Sequence, residues 1–353
     1  MKKRSKKVVI AAGGTGGHMF PAQALAAALK EGVLFAGLGL HKNRYFDRKR
    51  FSYIDIGNAQ RSFKEIFIAT LKSFTCLRRE RAALVVGFGS YHSLPLLIAA
   101  LFLRVPYLIF EPNAYPGRVN RVFSRWAKFS AVQFAEAGYH LKGEVVEVTM
   151  PLFFSSLRKK SSSAKEARVA FGLAPQKRTL LAFGGSQGAQ VINQLLATAF
   201  PKGENWQVLH ITGDERATEA VKESYERRNI PACVKAFETE MQMAWTAADL
   251  AVCRAGATTV AEQIAHSVPA IYIPFPKAAE DHQVKNAEFV EKNVQGAIVL
   301  KEMGLTEQIL RKTLQELLEG QRLEKMRESI DCFKKKRQKK SLAGLIHKFI
   351  QER

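Results

Sequence analysis

Short unbroken apolar runs alternate, through the first third of the chain, with longer stretches in which apolar side chains recur every three or four positions. Val8 to Ala12, Val33 to Leu38, Ala83 to Val86 and Val105 to Phe110 have the length and continuity of strands buried on both faces. Pro21 to Lys30 and the segment from about Leu94 carry the helical pattern. Between the second and third of these strands, Phe63, Ile66, Phe67, Thr70, Leu71, Phe74 and Leu77 form a stripe at helical spacing, flanked by Lys64, Lys72, Arg78, Arg79 and Arg81. Strands alternating with helices in this way predict a parallel sheet covered on both faces, one doubly wound half-molecule.

The second half repeats the alternation. Strands are predicted at Leu180 to Phe183, Gln207 to Ile211, Leu250 to Cys253 and Ala270 to Ile273, with helices starting at Gln187, Glu215, Thr258 and Asp281. Ser155 to Lys165, rich in Ser and Lys and without apolar period, reads as a linker. Beyond Thr306 the pattern is helical, and Leu342, Leu345, Ile346, Phe349 and Ile350 share one face after the basic run Lys334 to Lys340. The predicted organisation is therefore α/β: an N-terminal domain over 1–154, a linker over 155–165, a C-terminal domain over 166–335, and a final helix in 336–353 that packs back on the first domain. A chain of 353 residues is long enough for two such cores.

Two glycine turns punctuate this pattern. Val8-Val9-Ile10 breaks into Gly13-Gly14-Thr15-Gly16-Gly17-His18 before a helix expected to open at about Phe20, with Pro21 in its first turn. Thr179 to Phe183 runs into Gly184-Gly185-Ser186-Gln187-Gly188-Ala189. Glycines bring bare N–H groups close to a ligand, and a helix start adds a positive dipole end, so each turn is a candidate phosphate cradle. Two cradles predict two domains sharing one cleft.

Charge sharpens the choice of partner. The formal net charge is +22, and Met1 to Met150 holds 23 Lys/Arg against 9 Asp/Glu, a net of +14. An excess so placed favours anionic partners, whether phosphorylated substrates, an acidic membrane surface or nucleic acid. The four cysteines are scattered without a Cys-x-x-Cys pair, as for reduced thiols, and no His, Cys or acidic cluster has metal-ligand spacing. The apolar run after the basic N-terminus is too short for a signal sequence, and Leu94 to Leu103 is about half a membrane span. The expectation is no tightly bound cofactor, a soluble divalent cation being compatible with the chemistry.

A dinucleotide site would place glycine at the sixth position from Gly14, which is Met19, and an acid at the end of the second strand, where Leu38-Gly39-Leu40 stands. Neither cradle continues into the Gly-Lys-Ser/Thr of a P-loop. A sugar nucleotide remains. In Arg254-Ala255-Gly256-Ala257-Thr258-Thr259-Val260-Ala261-Glu262 a helix start would face phosphate, and the second-turn carboxylate of Glu262 would accept hydrogen bonds from ribose hydroxyls.

GGTGGH followed by Phe-Pro, GGSQGA, CRAGATTVAE and DHQVKNA, in this order and spacing over about Val8 to Leu300, resemble the peptidoglycan lipid I N-acetylglucosaminyltransferases, enzymes of the GT-B fold. The resemblance implies two Rossmann-like domains. It further implies inverting transfer of N-acetylglucosamine from UDP-N-acetylglucosamine to undecaprenyl-pyrophosphoryl-N-acetylmuramyl-pentapeptide (lipid I), giving lipid II and UDP. Such an enzyme would work as a peripheral protein on the cytoplasmic face of the bacterial inner membrane, in cell wall synthesis and hence cell shape and division. By motif position, Ser186, Ala257, Thr258, Thr259, Val260, Ala261 and Glu262 would bind the UDP part, with Glu262 on ribose, and Gln283 the donor sugar. Thr15, Gly16, Gly17 and Asn113 would line the opposite wall, near the donor sugar and the acceptor pyrophosphate.

The chain departs from that pattern in places. Gly89-Ser90-Tyr91 stands for the family's Gly-Gly-Tyr, Glu111-Pro112-Asn113 for Glu-Gln-Asn, and Thr149-Met150-Pro151-Leu152-Phe153 for Gly-Asn-Pro-Val-Arg, while Glu238 replaces an apolar residue at the uracil pocket. The reaction needs a base for the attacking hydroxyl and a clamp for the leaving diphosphate. His18 is the predicted base, since a histidine beside a helix N-terminus favours the neutral form. The basic stripe Phe63 to Leu77, joined by Leu101 and Phe102, is the predicted membrane contact. Two other readings stand beside this one: a different GT-B glycosyltransferase acting on a lipid or natural product, and a basic nucleic-acid-binding protein, for which no aromatic-interleaved module is present.

Overall fold

In the computed structural model, residues 7–30, 32–58, 62–152, 163–185, 188–203, 205–337 and 340–352 are described. The chain divides into two compact units, Met1–Phe153 with Lys339–Arg353, and Phe154–Gln338.

The first unit runs β1 (Lys7–Ala11), α1 (Gly16–Leu29), β2 (Val33–Leu38), β3 (Tyr53–Gly57), α2 (Phe63–Arg79), β4 (Ala82–Gly87), α3 (Leu94–Phe102), β5 (Tyr107–Glu111), α4 (Arg118–Phe123), β6 (Ser130–Val132), α5 (Ala135–Gly138) and β7 (Val145–Thr149). The second runs α6 (Ala164–Ala170), β8 (Arg178–Phe183), α7 (Gln190–Ala199), β9 (Trp206–Ile211), α8 (Glu215–Arg227), β10 (Ala232–Lys235), α9 (Met241–Ala247), β11 (Leu250–Cys253), α10 (Ala257–His266), β12 (Ala270–Tyr272), α11 (His282–Phe289), β13 (Ala297–Val299), α12 (Glu307–Glu319) and α13 (Arg322–Lys336). The chain then returns to the first unit as β14 (Lys340–Ser341) and α14 (Leu342–Gln351).

Both sheets are parallel throughout, in the orders β14-β7-β6-β5-β4-β1-β2-β3 and β10-β9-β8-β11-β12-β13. Each is therefore the doubly wound sheet that the alternation predicts. The order reverses between β1 and β4 in the first unit, where Ala11 pairs with Gly87, and between β8 and β11 in the second, where Phe183 pairs with Cys253. Chains leaving adjacent strands in opposite directions open a crevice at their carboxyl ends, which is where such sheets bind ligands. Both glycine turns leave from these two places.

Several local expectations are corrected. α1 begins at Gly16, four residues earlier than the alanine-rich pattern suggested, because the backbone after Gly14 already turns helical and the Thr15 carbonyl accepts the N–H groups of His18 and Met19 at 3.1 Å. Pro21 consequently lies inside the helix, where its ring nitrogen cannot donate to Gly17. α7 starts at Gln190, not Gln187, and α10 at Ala257. Most of the predicted linker falls outside the described residues; its last residues, 163–165, open α6, with Ser163 and Glu166 forming a capping box.

The stripe of α2 is divided. Ala69, Cys76 and Leu77 enter the core with Leu96, Leu97 and Ala100, and Phe74 packs against that cluster and 6.3 Å, ring to ring, from Phe102. Phe63, Phe67 and Leu71 face outward, 95%, 64% and 51% exposed, and Phe102 is 73% exposed. Leu101 packs on the core. At the other end of the unit, Leu342 and Ile346 of α14 are buried, and α14 packs on α1.

Candidate functional site

The first glycine turn connects β1 to α1. Gly14 takes φ +85°, and its carbonyl accepts from Asn43 Nδ2 at 2.8 Å. Thr15 is the exposed N-cap, and the N–H groups of Gly16 and Gly17, in the first helical turn, have no carbonyl one turn back to receive them. Thr15, Gly16 and Gly17 thus present backbone and hydroxyl donors at the carboxyl edge of the sheet. His18 follows, half-buried, with Nδ1 2.8 Å from the Phe88 carbonyl. A carbonyl only accepts, so Nδ1 carries a proton, and in the neutral ring the lone pair lies on Nε2.

Asn113 emerges from β5, separated from β1 by β4 alone, so roughly 10 Å along the sheet edge. Its neighbour Glu111, which sequence reasoning noted only as a motif letter, organises that loop. Glu111 is buried, and its carboxylate accepts from Asn113 N at 2.9 Å, Asn113 Nδ2 at 3.1 Å, Gly117 N at 3.1 Å and Asn120 Nδ2 at 2.8 Å. Burial pushes its pKa up against the four donors, which favour the carboxylate.

In the second unit the glycine turn leaves β8. Gly188 has φ +71°, and a Cβ there would lie 2.6 Å from the Thr212 carbonyl, so only glycine lets the turn close against the next loop. Ser186 and Gln187 of this turn lie outside the described residues.

β11, the strand beside β8, delivers α10. Gly256 caps the helix and its carbonyl accepts the Val260 N–H at 3.0 Å. Val260 and Ala261 have their N–H groups within the helix and their side chains buried, as are those of Ala257 and Thr259. Thr258 and Glu262, four apart and therefore on one face, are the half-buried polar pair. Among the described residues the Thr258 hydroxyl is buried without a hydrogen-bond partner. A buried unpaired hydroxyl at a helix start keeps its donor and acceptor capacity for a water or ligand oxygen.

Glu262 is held by a residue the sequence reading missed. Trp245, fully buried in α9, donates its indole N–H to Glu262 Oε2 at 3.0 Å. Burial pushes the Glu262 carboxyl up to about 7, the indole bond opposing the rise. Gln283, in α11, accepts the Phe275 N–H on its Oε1 at 3.0 Å, which leaves its amide nitrogen to donate. The turn 273–275 is in turn fixed by Arg254, whose guanidinium donates to the carbonyls of Ile273 at 2.9 Å and Pro274 at 3.2 Å and pairs with Glu302. Arg254 was legible only as part of a motif.

Glu238 faces Lys235, and its other oxygen accepts the Glu240 N–H at 2.7 Å. Burial alone would raise its pKa, but the Lys235 ammonium and the backbone donors hold it below the usual carboxylate value. Its charge is thereby accommodated within its own turn. Among the described residues no group of three His, Cys, Asp or Glu could hold a metal ion.

Comparison with known proteins gives one answer over almost the whole length. Residues 8–132 match the glycosyltransferase family 28 N-terminal domain and residues 179–345 its C-terminal domain. A protein of Protochlamydia amoebophila is 36% identical over 97% of this chain and 95% of its own, and one of Chlamydia pneumoniae is 34% identical over 100% and 99%. Both bear the name UDP-N-acetylglucosamine–N-acetylmuramyl-(pentapeptide) pyrophosphoryl-undecaprenol N-acetylglucosamine transferase. The crystal structure of MurG from Acinetobacter baumannii superposes with a TM-score of 0.79 at 26% identity, covering 99% of this chain and 100% of that one. The fold extends to a rice protein, Os79, solved with UDP, at a TM-score of 0.70 and 11% identity over 98% of this chain and 100% of that one.

Proposed function

The chain belongs to glycosyltransferase family 28, with the GT-B fold of that family, and from this premise we propose its reaction and the residues that carry it. It is a UDP-sugar-dependent glycosyltransferase of peptidoglycan synthesis, moving N-acetylglucosamine from UDP-N-acetylglucosamine to lipid I to give lipid II and UDP. The observation within the molecule that carries the reading is the start of α10, where Thr258 presents an unpartnered buried hydroxyl one turn before the anchored carboxylate of Glu262.

On the donor side, Thr258 and the helix start receive diphosphate, Glu262 accepts from the ribose hydroxyls, and the Gln283 amide nitrogen donates to the sugar. Ser186 lies in the second glycine turn, whose N–H groups complete the diphosphate clamp. Ala257, Thr259, Val260 and Ala261 bind through backbone or by fixing the helix, their side chains being buried. On the acceptor side, Thr15, Gly16, Gly17 and Asn113 receive the pyrophosphate-linked sugar.

The chemistry follows. The acceptor hydroxyl oxygen attacks the anomeric carbon from the face opposite UDP. As the new C–O bond forms, the bond to the diphosphate oxygen breaks, so configuration inverts. The hydroxyl proton passes to His18 Nε2, and helix and glycine-turn donors stabilise the charge on departing UDP. No tightly bound cofactor is required by this scheme.

The acceptor's polyprenyl chain is reached at the cytoplasmic face of the inner membrane. No helix among the described residues is long and apolar enough to cross a bilayer. Phe63, Phe67, Leu71 and Phe102 present an apolar patch between Lys64, Lys72, Arg78 and Arg79, suited to an anionic leaflet. The partners are thus donor, lipid acceptor and membrane surface, without nucleic acid. Incubation with UDP-N-acetylglucosamine and a lipid I analogue tests the function: UDP release must require both, and release with the donor alone, or none with both, would refute it.

A further inference from the structure

Ser90 occupies φ +62° and ψ +162°, a region that glycine enters freely and an L-side chain enters only under strain. Strain of this kind persists where surrounding interactions over-determine the conformation. Here both partners of the hydroxyl belong to one residue. Ser90 Oγ lies 2.6 Å from His92 Nδ1 and accepts the His92 backbone N–H at 3.2 Å.

The imidazole so held is 8% exposed and lies directly against the first glycine turn. A Cβ on Gly13 would sit 2.8 Å from His92 Cβ and 2.9 Å from its Cδ2, and a Cβ on Gly14 would sit 3.0 Å from Cε1. The ring therefore fills the space that side chains at positions 13 and 14 would take. Tyr91 covers it from another side, its ring centroid 4.0 Å away. The same segment reaches the far end of the turn, for it is the Phe88 carbonyl that receives His18 Nδ1, and the Phe88 N–H donates to the Ala11 carbonyl at 2.9 Å. Residues 88–92 thus brace the turn from Ala11 to His18 at its start, its middle and its end.

We propose that Ser90 and His92 are a positioning pair for the glycosyl transfer: the strained serine sets the imidazole, and the imidazole sets the backbone of Gly13 and Gly14 against which the acceptor binds. This rests on the reading of the Gly13–His18 turn as the acceptor wall. Neither residue touches the reacting atoms; both act through the turn. Serine in place of glycine at position 90 is then retained for its hydroxyl in spite of the backbone it must adopt.

Three variants separate the parts: Ser90→Gly removes hydroxyl and strain, Ser90→Ala removes the hydroxyl and keeps the strain, and His92→Phe keeps the ring and loses Nδ1. Each is assayed for melting temperature, for hydrogen exchange of the Gly13–His18 amides, and for KM of the lipid I analogue and of UDP-N-acetylglucosamine. The expected result is that Ser90→Gly melts no lower than wild type and above Ser90→Ala. All three variants exchange the turn amides faster and raise acceptor KM about three- to tenfold, as for one lost hydrogen bond, with donor KM within twofold. Unchanged exchange in both Ser90→Gly and His92→Phe overturns the brace itself. Faster exchange with wild-type acceptor KM overturns the reading of the turn as the acceptor wall, and with it the pair's role in transfer.

Discussion

Trp245 donates its indole N–H to Glu262 at 3.0 Å, so the carboxylate assigned to the ribose is anchored by a side chain seventeen positions earlier on a different helix. The bond takes one carboxylate oxygen and orients the other. A carboxylate with one oxygen committed to the protein is pre-organised for a diol, because less rotamer freedom remains to be lost on binding.

Removing the carboxylate is therefore expected to weaken the donor complex. Glu262→Ala loses charge-assisted hydrogen bonds of roughly 1.5 to 3 kcal/mol, about ten- to a hundredfold in UDP affinity. Trp245→Phe keeps an aromatic ring in the core and loses only the anchor, with a loss of about tenfold or less. Titration calorimetry with UDP measures both; wild-type affinity in Glu262→Ala refutes the ribose assignment.

The position of Glu262 also makes donor binding sensitive to pH. Burial raises its pKa to about 7 from 4.5, so the free enzyme gains a proton there as pH falls through neutrality. Ribose hydroxyls donating to it favour the charged form. UDP affinity should decline as pH drops from about 8 to 6, and Glu262→Gln should flatten that decline while binding more weakly at pH 8. Stability runs the opposite way: the folded state holds this proton more tightly than the unfolded, so Glu262 contributes a loss of stability as pH rises from 4.5 to about 7, absent in Glu262→Gln. Thermal melts across that interval check the slope.

For His18, whose Nδ1 is committed to Phe88, loss of the Nε2 base should cost roughly 100- to 10,000-fold in turnover while UDP binding persists. Should His18→Ala keep near wild-type turnover with the same acidic limb in its pH profile, the proton goes to another group.

The outer face of α2 yields a cleaner membrane test than the whole stripe. Phe74 touches the core and is left intact, whereas Phe63 and Phe67 are exposed. Phe63→Glu with Phe67→Glu should leave the melting temperature near wild type and abolish sedimentation with anionic vesicles, while a water-soluble acceptor still turns over. Normal vesicle binding by the folded double variant would place the membrane contact elsewhere.

How far the sequence could be read depends on whether a signal was local. The central strands β1, β2, β4, β8, β9, β11 and β12 are continuous apolar runs, and both glycine turns fall where the sheet order reverses. The edge strands β3 and β10 escaped, as did β7, whose outer side meets only the two residues of β14, because a strand wholly or partly open on one side carries polar residues such as Asp55, Glu147 and Lys235 and loses the unbroken run. β6 and β13, of three residues each, are too short to show a period. At the site, Glu262 and His18 stood in recognisable patterns, whereas Trp245, His92 and Arg254 act through contacts to residues distant in the chain, for which no local spacing exists. The α2 stripe showed that a helix was amphipathic but not which apolar residues its neighbour α3 would cover.

The pairing of Lys340 and Ser341 with Val148 and Thr149 places the last strand at the edge of a sheet whose other strands all end by Thr149. During synthesis, the first half can leave the ribosome and collapse with β7 as a bare edge, for the whole of the second unit must be translated before the segment that covers it appears. At about 5 to 20 residues per second, the roughly 190 intervening residues hold that edge open for on the order of 10 to 40 seconds. The domain begun first is thus the one finished last, and a nascent chain arrested anywhere in the second unit leaves unpaired the stretch of strand edge, at Val148 and Thr149, that the finished protein pairs with Lys340 and Ser341.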